Sequence, residues 1–287
     1  MMLKRWLIPL VAVLAMPSML FVTGCSDDDD NPTDPNKGYQ QVYIRMHAGD
    51  QFTYDRYDLD ENNLKVEGSK SKYEIEFITG QGLVGQYQDW FYRIGVDRST
   101  NVRDTLFIRS ENITRNDGTA YTESVMAYGF LYQVLQEFIG EMMQLGDIGV
   151  PTIPAEQWDI VARYYDDDGT ALDPGAEWTI GPEGGITMNF TINGYPLSVE
   201  ASMKGRLDAR EEKVMAGGTE ITTWKSSVIA SINLLGSVNL DVVLSFWFSD
   251  DPNGQIKVLQ ESANTTIPII NMPFSIPGET QELVSWI

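Results

Sequence analysis

From Tyr39 onward, apolar and polar positions alternate in several stretches with the period of two that marks half-buried strands. Tyr73, Ile75 and Phe77 alternate with Lys72, Glu74 and Glu76. Trp90, Tyr92, Ile94 and Val96 form a second set, and Leu106 with Ile108 a shorter one. The clearest hairpin runs from Ile186 to Met203. Ile186, Met188, Phe190 and Ile192 lead into Asn193-Gly194, a pair suited to the positive φ angles of a tight turn, and Leu197, Val199, Ala201 and Met203 resume the alternation. A further hairpin is predicted from Val228, Ala230, Ile232 and Leu234, through a turn near Gly236, into Val238, Leu240, Val242, Leu244, Phe246 and Phe248. Asp250-Asp251-Pro252-Asn253-Gly254 then reverses the chain into Ile256 and Val258. Beyond Ala263, Pro268, Pro273 and Pro277 suit an edge strand or irregular cover.

One interval changes period. From Val125 to Leu145, apolar residues at Tyr128, Leu131, Val134, Leu135, Phe138, Ile139 and Met142 form a wide helical stripe, ended by Gly146 and Pro151. A long amphipathic helix is therefore expected near residues 122–146, between two groups of strands. The predicted fold is a β-rich α+β domain: one curved antiparallel sheet, a half-barrel or open barrel, with this helix packed on its concave side.

Val243 and Trp247 add bulk on the face opposite Val242 to Phe248. The strand is then either central and covered on both faces, or one wall of a ligand cavity. In the cavity version the ligand-facing residues are Val243, Trp247, Leu131, Leu135, Phe138 and Met142.

The first residues have the layout of an export signal. Lys4 and Arg5 precede an uncharged apolar run from Trp6 to Val22, interrupted by Pro9 and Pro17, and small residues lead to Cys25. Val22-Thr23-Gly24-Cys25 resembles the lipobox of bacterial lipoproteins. The resemblance implies cleavage after residue 24 and acylation of Cys25, which makes the chain's one cysteine an anchor. Two or three acyl chains hold a protein firmly, at about 0.8 kcal/mol per buried methylene. Ser26 stands where some bacteria use Asp to retain lipoproteins in the inner membrane, so the resemblance implies the outer membrane. Asp27 to Asp30 is also similar to acidic signals that bring lipoproteins to the cell surface, and reads equally well as a self-repelling tether. Residues 25–38 lack the apolar side chains needed to order themselves and would span roughly 20 Å as a flexible linker. Residues 39–287 remain for a single β-rich domain.

The chain carries a formal charge of −21, and loss of Lys4 and Arg5 with the signal takes it to −23. That charge repels phosphate backbones, so nucleic acid is not an expected partner. With no second cysteine there is no internal disulfide, and stability must come from the core.

Catalytic signatures are absent from the sequence. The one histidine, His47, lies in no nucleophile motif, and no Gly-x-Ser-x-Gly occurs. One His and one acylated Cys do not make a zinc site. Asp58, Asp60 and Asn62 have the spacing of a calcium loop, but Asn63 and Ser69 stand where an EF-hand needs Gly and Glu; Asp166 to Gly169 is a second acidic turn. Both read as hairpin tips, and Gly184-Gly185 and Gly217-Gly218 as turns. No metal or cofactor is expected. The functional expectation is a non-catalytic, lipid-anchored envelope protein that binds an apolar ligand or an envelope protein. The alternatives are a glycan binder, which needs exposed coplanar aromatics, and a carboxylate-dependent hydrolase, which needs two acids facing a cleft.

Overall fold

The computed structural model describes residues 40–143, 156–192, 195–234, 238–267 and 272–287. Within them lie β1 (Gln51–Leu59), β2 (Ser71–Thr79), β3 (Phe91–Asp97), β4 (Val102–Thr114), β5 (Ala120–Tyr128), α1 (Phe130–Met143), β6 (Trp158–Arg163), β7 (Glu177–Ile180), β8 (Ile186–Ile192), β9 (Tyr195–Ala216), β10 (Thr219–Leu234), β11 (Val238–Asp250), β12 (Asn253–Gln260), β13 (Ala263–Ile267), β14 (Met272–Ile276) and β15 (Gly278–Trp286). Thirteen strands form one antiparallel sheet in the order β6-β5-β4-β3-β2-β1-β15-β12-β11-β10-β9-β7, with β8 also on β9, and β13–β14 form a separate hairpin. The architecture is mostly β, and the main sheet curls into a nearly closed barrel.

Two features join the parts of that sheet. β15, the last strand, inserts between β1 and β12 and so joins the two halves of the chain. At the far ends, the indole N–H of Trp178 on β7 donates to the Ile160 carbonyl of β6 at 2.8 Å. The Trp178 ring lies over Gly205 of the neighbouring strand, where any Cβ would overlap it. A glycine in mid-strand here serves close approach, not flexibility.

The helix is shorter than the stripe predicted. It spans 14 residues, and residues 120–128 form β5, hydrogen-bonded between β4 and β6. Val125 and Tyr128 match a helical spacing, but Val125 and Ala127 belong to the buried face of a strand, and Gly129, at φ 71°, breaks strand from helix. The first turn of α1 has no acidic residue of its own. Asp159 of β6 supplies the carboxylate instead, accepting the Leu131 N–H at 2.9 Å, a cap from outside the helix. Phe130, Leu131, Val134, Leu135, Phe138 and Ile139 are all buried in the core. Phe138 meets Phe274 of β14 edge to face, so the Pro-bearing hairpin covers the helix.

Residues 40–46 form an extended segment laid along the same core. Val42, Ile44 and Met46 are buried. Thr122 N–H donates to the Val42 carbonyl at 2.7 Å, and Ile44 N–H to the Thr122 hydroxyl at 2.6 Å. The segment runs from Glu211 of β9, which accepts the Gln40 N–H, to the end of β2, where Gly49 N–H donates to Phe77.

Candidate functional site

β3 has the predicted period but the opposite phase. Its buried positions are Arg93, Gly95 and Asp97, while Tyr92, Ile94 and Val96 are half-buried on the other face. On that face Trp90, Tyr92, Phe107, Tyr128 and Trp158 pack as successive aromatic pairs, which gives the apolar set its own cover. The register Tyr73↔Asp97, Ile75↔Gly95 and Phe77↔Arg93 places the charged residues inside the barrel.

There they form a connected network. Arg56 of β1 bridges two acids: Nη1 donates to Asp97 Oδ2 at 3.3 Å, and Nη2 to Glu279 of β15 at short range. Arg93 donates to Asp104 Oδ1 at 2.9 Å and to the Tyr73 hydroxyl at 3.0 Å, and Tyr73 in turn donates to Asp104. Gly95 leaves the room that the Tyr73 hydroxyl occupies. Tyr54 donates to the Gln255 carbonyl at 2.9 Å. Both side-chain polar atoms of the fully buried Gln255 lack a partner among the described residues.

Burial pushes the Glu279 carboxyl above its usual range despite the pull of Arg56, and raises the Tyr73 phenol further from ionisation. A glycosidase pair must face a cleft. Asp97 and Glu279 instead share one guanidinium inside the wall, which makes them a structural link between β1, β3 and β15.

Burial raises Asp159 and Asp250 in the same way. In the window just above ordinary carboxyl values, about 3.9 for Asp and 4.3 for Glu, the folded chain then holds more protons than the unfolded one. Stability therefore rises as pH falls into that window, and relief of the acidic excess acts in the same direction. Thermal midpoints are expected to be higher near about pH 5 than about pH 7.5. Glu279→Gln should flatten the slope, and an unchanged slope would remove Glu279 from the cause.

The outer face of the barrel carries a different feature. Opposite Trp224, β9 has two residues, Arg210 and Glu211, and Glu211 adopts φ 57°. This bulge bends the β9–β10 hairpin, so that its tip reaches β15, with Gly217 N–H donating to Leu283 at 3.1 Å. Between the tip and the β11–β12–β15 surface lies a groove of about 360 Å³ lined by Glu212, Lys213, Val214, Met215, Trp247, Ile256, Lys257 and Glu282. Lys225 and Lys257 reach over the Trp247 ring at 5.0 and 5.3 Å, and Lys257 pairs with Glu282 at 3.5 Å. The buried Trp247 indole N–H has no acceptor among the described residues. Met215, Val284 and Trp286 are exposed around the tip; Met215 is 64% accessible.

The residues singled out from sequence thus fall in two places. Leu131, Leu135 and Phe138 are brought together in the core with α1. Val243 and Trp247 lie on the opposite face of β11, Val243 half-buried and Trp247 in the groove. Met142 belongs to α1, but its side chain lies outside the described residues, as do Cys25, the signal, the tether and the Asn193-Gly194 and Gly236 turns. His47 is exposed beside Asp50. Asp60 and Asp166 accept backbone N–H groups of their own turns, as hairpin-tip residues do. Missed from sequence were the interior arginines and the groove. Arg93 and Asp97 carried a signal, since both sit in phase with Gly95 on a strand flanked by aromatics.

No family model matches the chain, and no curated protein matches it in sequence. Two crystal structures align over most of its length. One is a "putative lipoprotein" from Parabacteroides distasonis, 9% identical, with a TM-score of 0.42 and coverage of 86% of this chain and 99% of that one. The other is a "putative exported protein with YmcC-like fold" from Bacteroides fragilis, 10% identical, with a TM-score of 0.38 and coverage of 86% and 100%. At these scores neither bears on what this chain binds or does.

Proposed function

We propose that this chain is a non-catalytic, lipid-anchored protein of the bacterial outer membrane, facing the periplasm or the cell surface, that docks an envelope protein through the groove beside Trp247. Cys25 and residues 26–38 supply the anchor and tether, as the lipobox resemblance implies. The groove carries the reading. Its floor is apolar, with Trp247, Ile256 and Val214, and its rim alternates Lys213 and Lys257 with Glu212 and Glu282. That pattern fits an apolar side chain flanked by charges on a protein partner, and the volume lies at the lower end for specific pockets, about 300–1,000 Å³.

An apolar ligand inside the barrel is less well supported, because the helix face that would line its cavity is packed. Leu131 abuts Gly181 and Phe138 abuts Phe274. A glycan platform is also disfavoured: among the described residues, Trp286 is the one large aromatic that is well exposed.

The test compares proteins recovered from detergent-solubilised envelopes by the mature chain and by Met215→Asp. Met215 is exposed, so the change should leave the fold intact. A partner recovered at least about tenfold less by the variant supports the reading. Equal recovery, or a solvent-extractable mass in native mass spectrometry with no partner, would replace it with another surface or with the ligand reading.

A further inference from the structure

β8 ends its part of the sheet. It pairs with residues 195–201 of β9, and no other strand pairs with it among the described residues. Exposed edges are normally blunted by charge or proline. The other strands at the ends of this sheet carry charge: β6 has Arg163, and β7 has Glu177, paired with Lys204. β8 does not. Residues 184–199 contain no charged side chain, in a chain of 41 acidic and 20 basic residues.

The sequence of β8 is also nearly symmetric about its centre. Reversing Ile-Thr-Met-Asn-Phe-Thr-Ile exchanges Ile186 with Ile192, Thr187 with Thr191 and Met188 with Phe190, and leaves Asn189 in place. An antiparallel pair of two such strands therefore sets apolar against apolar and hydroxyl against hydroxyl, with Asn189 against its own copy at the centre. Thr187, Asn189 and Thr191 are exposed, and Met188 is buried, so the polar set would share the outer face of a joined sheet. Like–like pairs of this kind stabilise neighbouring strands, and the absence of charge along residues 184–199 avoids like charges meeting at the edge itself.

We propose that β8 is a homodimerisation edge. Two copies pair antiparallel along Ile186–Ile192, with the two-fold axis at Asn189, and join their sheets. A two-fold interface needs a self-complementary patch, and this strand is one. The inference is independent of the groove, which lies on the outer face of β11, β12 and β15.

The register makes the proposal testable with single cysteines. In the mature chain carrying Cys25→Ser, an introduced cysteine is the only thiol. Asn189→Cys places two thiols directly opposite, within the Cα separation a disulfide needs, about 4.4–6.8 Å. Thr187→Cys places its two copies four residues apart along the strand, about 13 Å. Rapid disulfide dimerisation of Asn189→Cys under mild oxidation, with little from Thr187→Cys, is the expected result. Asn189→Lys sets like charges face to face and should weaken the dimer seen by analytical ultracentrifugation roughly tenfold or more. A Cys25→Ser chain that is monomeric at tens of micromolar, equal cross-linking from both positions, or a dimer indifferent to Asn189→Lys would each overturn the proposal.

Discussion

A mature chain shortened to begin at Gly49 is expected to lose cooperative folding, whereas one shortened to begin at Lys37 should fold as the mature protein does. The difference lies in residues 40–46. Val42 and Ile44 have no solvent exposure and Met46 has 8%. Burying such side chains contributes about 1.5–3 kcal/mol each, so the three are worth roughly 5–9 kcal/mol. A whole domain is stable by only about 5–15 kcal/mol. Its loss also strands the Thr122 N–H, which now donates to Val42.

Urea unfolding followed by near-ultraviolet circular dichroism separates the two truncations. A sigmoidal transition for the Lys37 form, and a weak or absent one for the Gly49 form, is the expected pair. Matching midpoints would mean that the segment rests on the barrel without supporting it. If the expected result holds, residues 40–46 are a strand-like part of the core and not a loose terminus. Under the anchoring proposed above, the domain would be held through part of its own core.

Much of the sheet was readable because strands that bury one face must alternate. Tyr73, Ile75 and Phe77 of β2, Met188 of β8, Val228, Ala230 and Ile232 of β10, and Leu240, Val242, Leu244, Phe246 and Phe248 of β11 are buried where the alternation places them. What was not readable depends on contacts distant in sequence. β15 carries Glu279, Thr280 and Gln281 in buried positions, so nothing in Gly278–Trp286 resembles a central strand, although it holds the two halves together. Val42, Ile44 and Met46 do alternate, but they lie beside a low-complexity tether and form no ladder. The helical stripe runs on past the start of α1 because Val125 and Tyr128 satisfy a period of 3.6 as easily as a period of two, and only pairing with β4 and β6 decides between them. The groove is invisible in sequence because it exists only once the bulge at Arg210–Glu211 bends a long hairpin back over β15. The bulk of Trp247 on the second face of β11 is legible, but its neighbours come from four other strands, β9, β10, β12 and β15.

The largest single-residue effect is expected at Arg56. Replacing it by Met keeps much of the side-chain volume and removes the charge that bridges Asp97 and Glu279. Breaking a buried ion pair from one side costs about 3–5 kcal/mol, since the remaining charge keeps its burial and loses its partner. The two acids are not equally exposed to that loss. Asp97 Oδ1 also accepts from the Ser99 N–H at 2.8 Å and the Ser99 hydroxyl at 2.6 Å, so it keeps donors. Glu279 keeps the Gln281 amide at 3.2 Å, a weaker neutral donor, and its carboxyl is already driven up by burial. The stranded charge is therefore Glu279. Adding Glu279→Gln to Arg56→Met should recover part of the lost stability, while Asp97→Asn in the same background should recover less. Arg56→Lys should behave more like Met than like Arg, because an ammonium cannot fork across two carboxylates on different strands. Denaturation midpoints of these four variants give the order directly. If Arg56→Met costs less than about 1 kcal/mol, or if the Asp97 variant gives the larger recovery, the bridge between β1, β3 and β15 is not what holds this side of the barrel together.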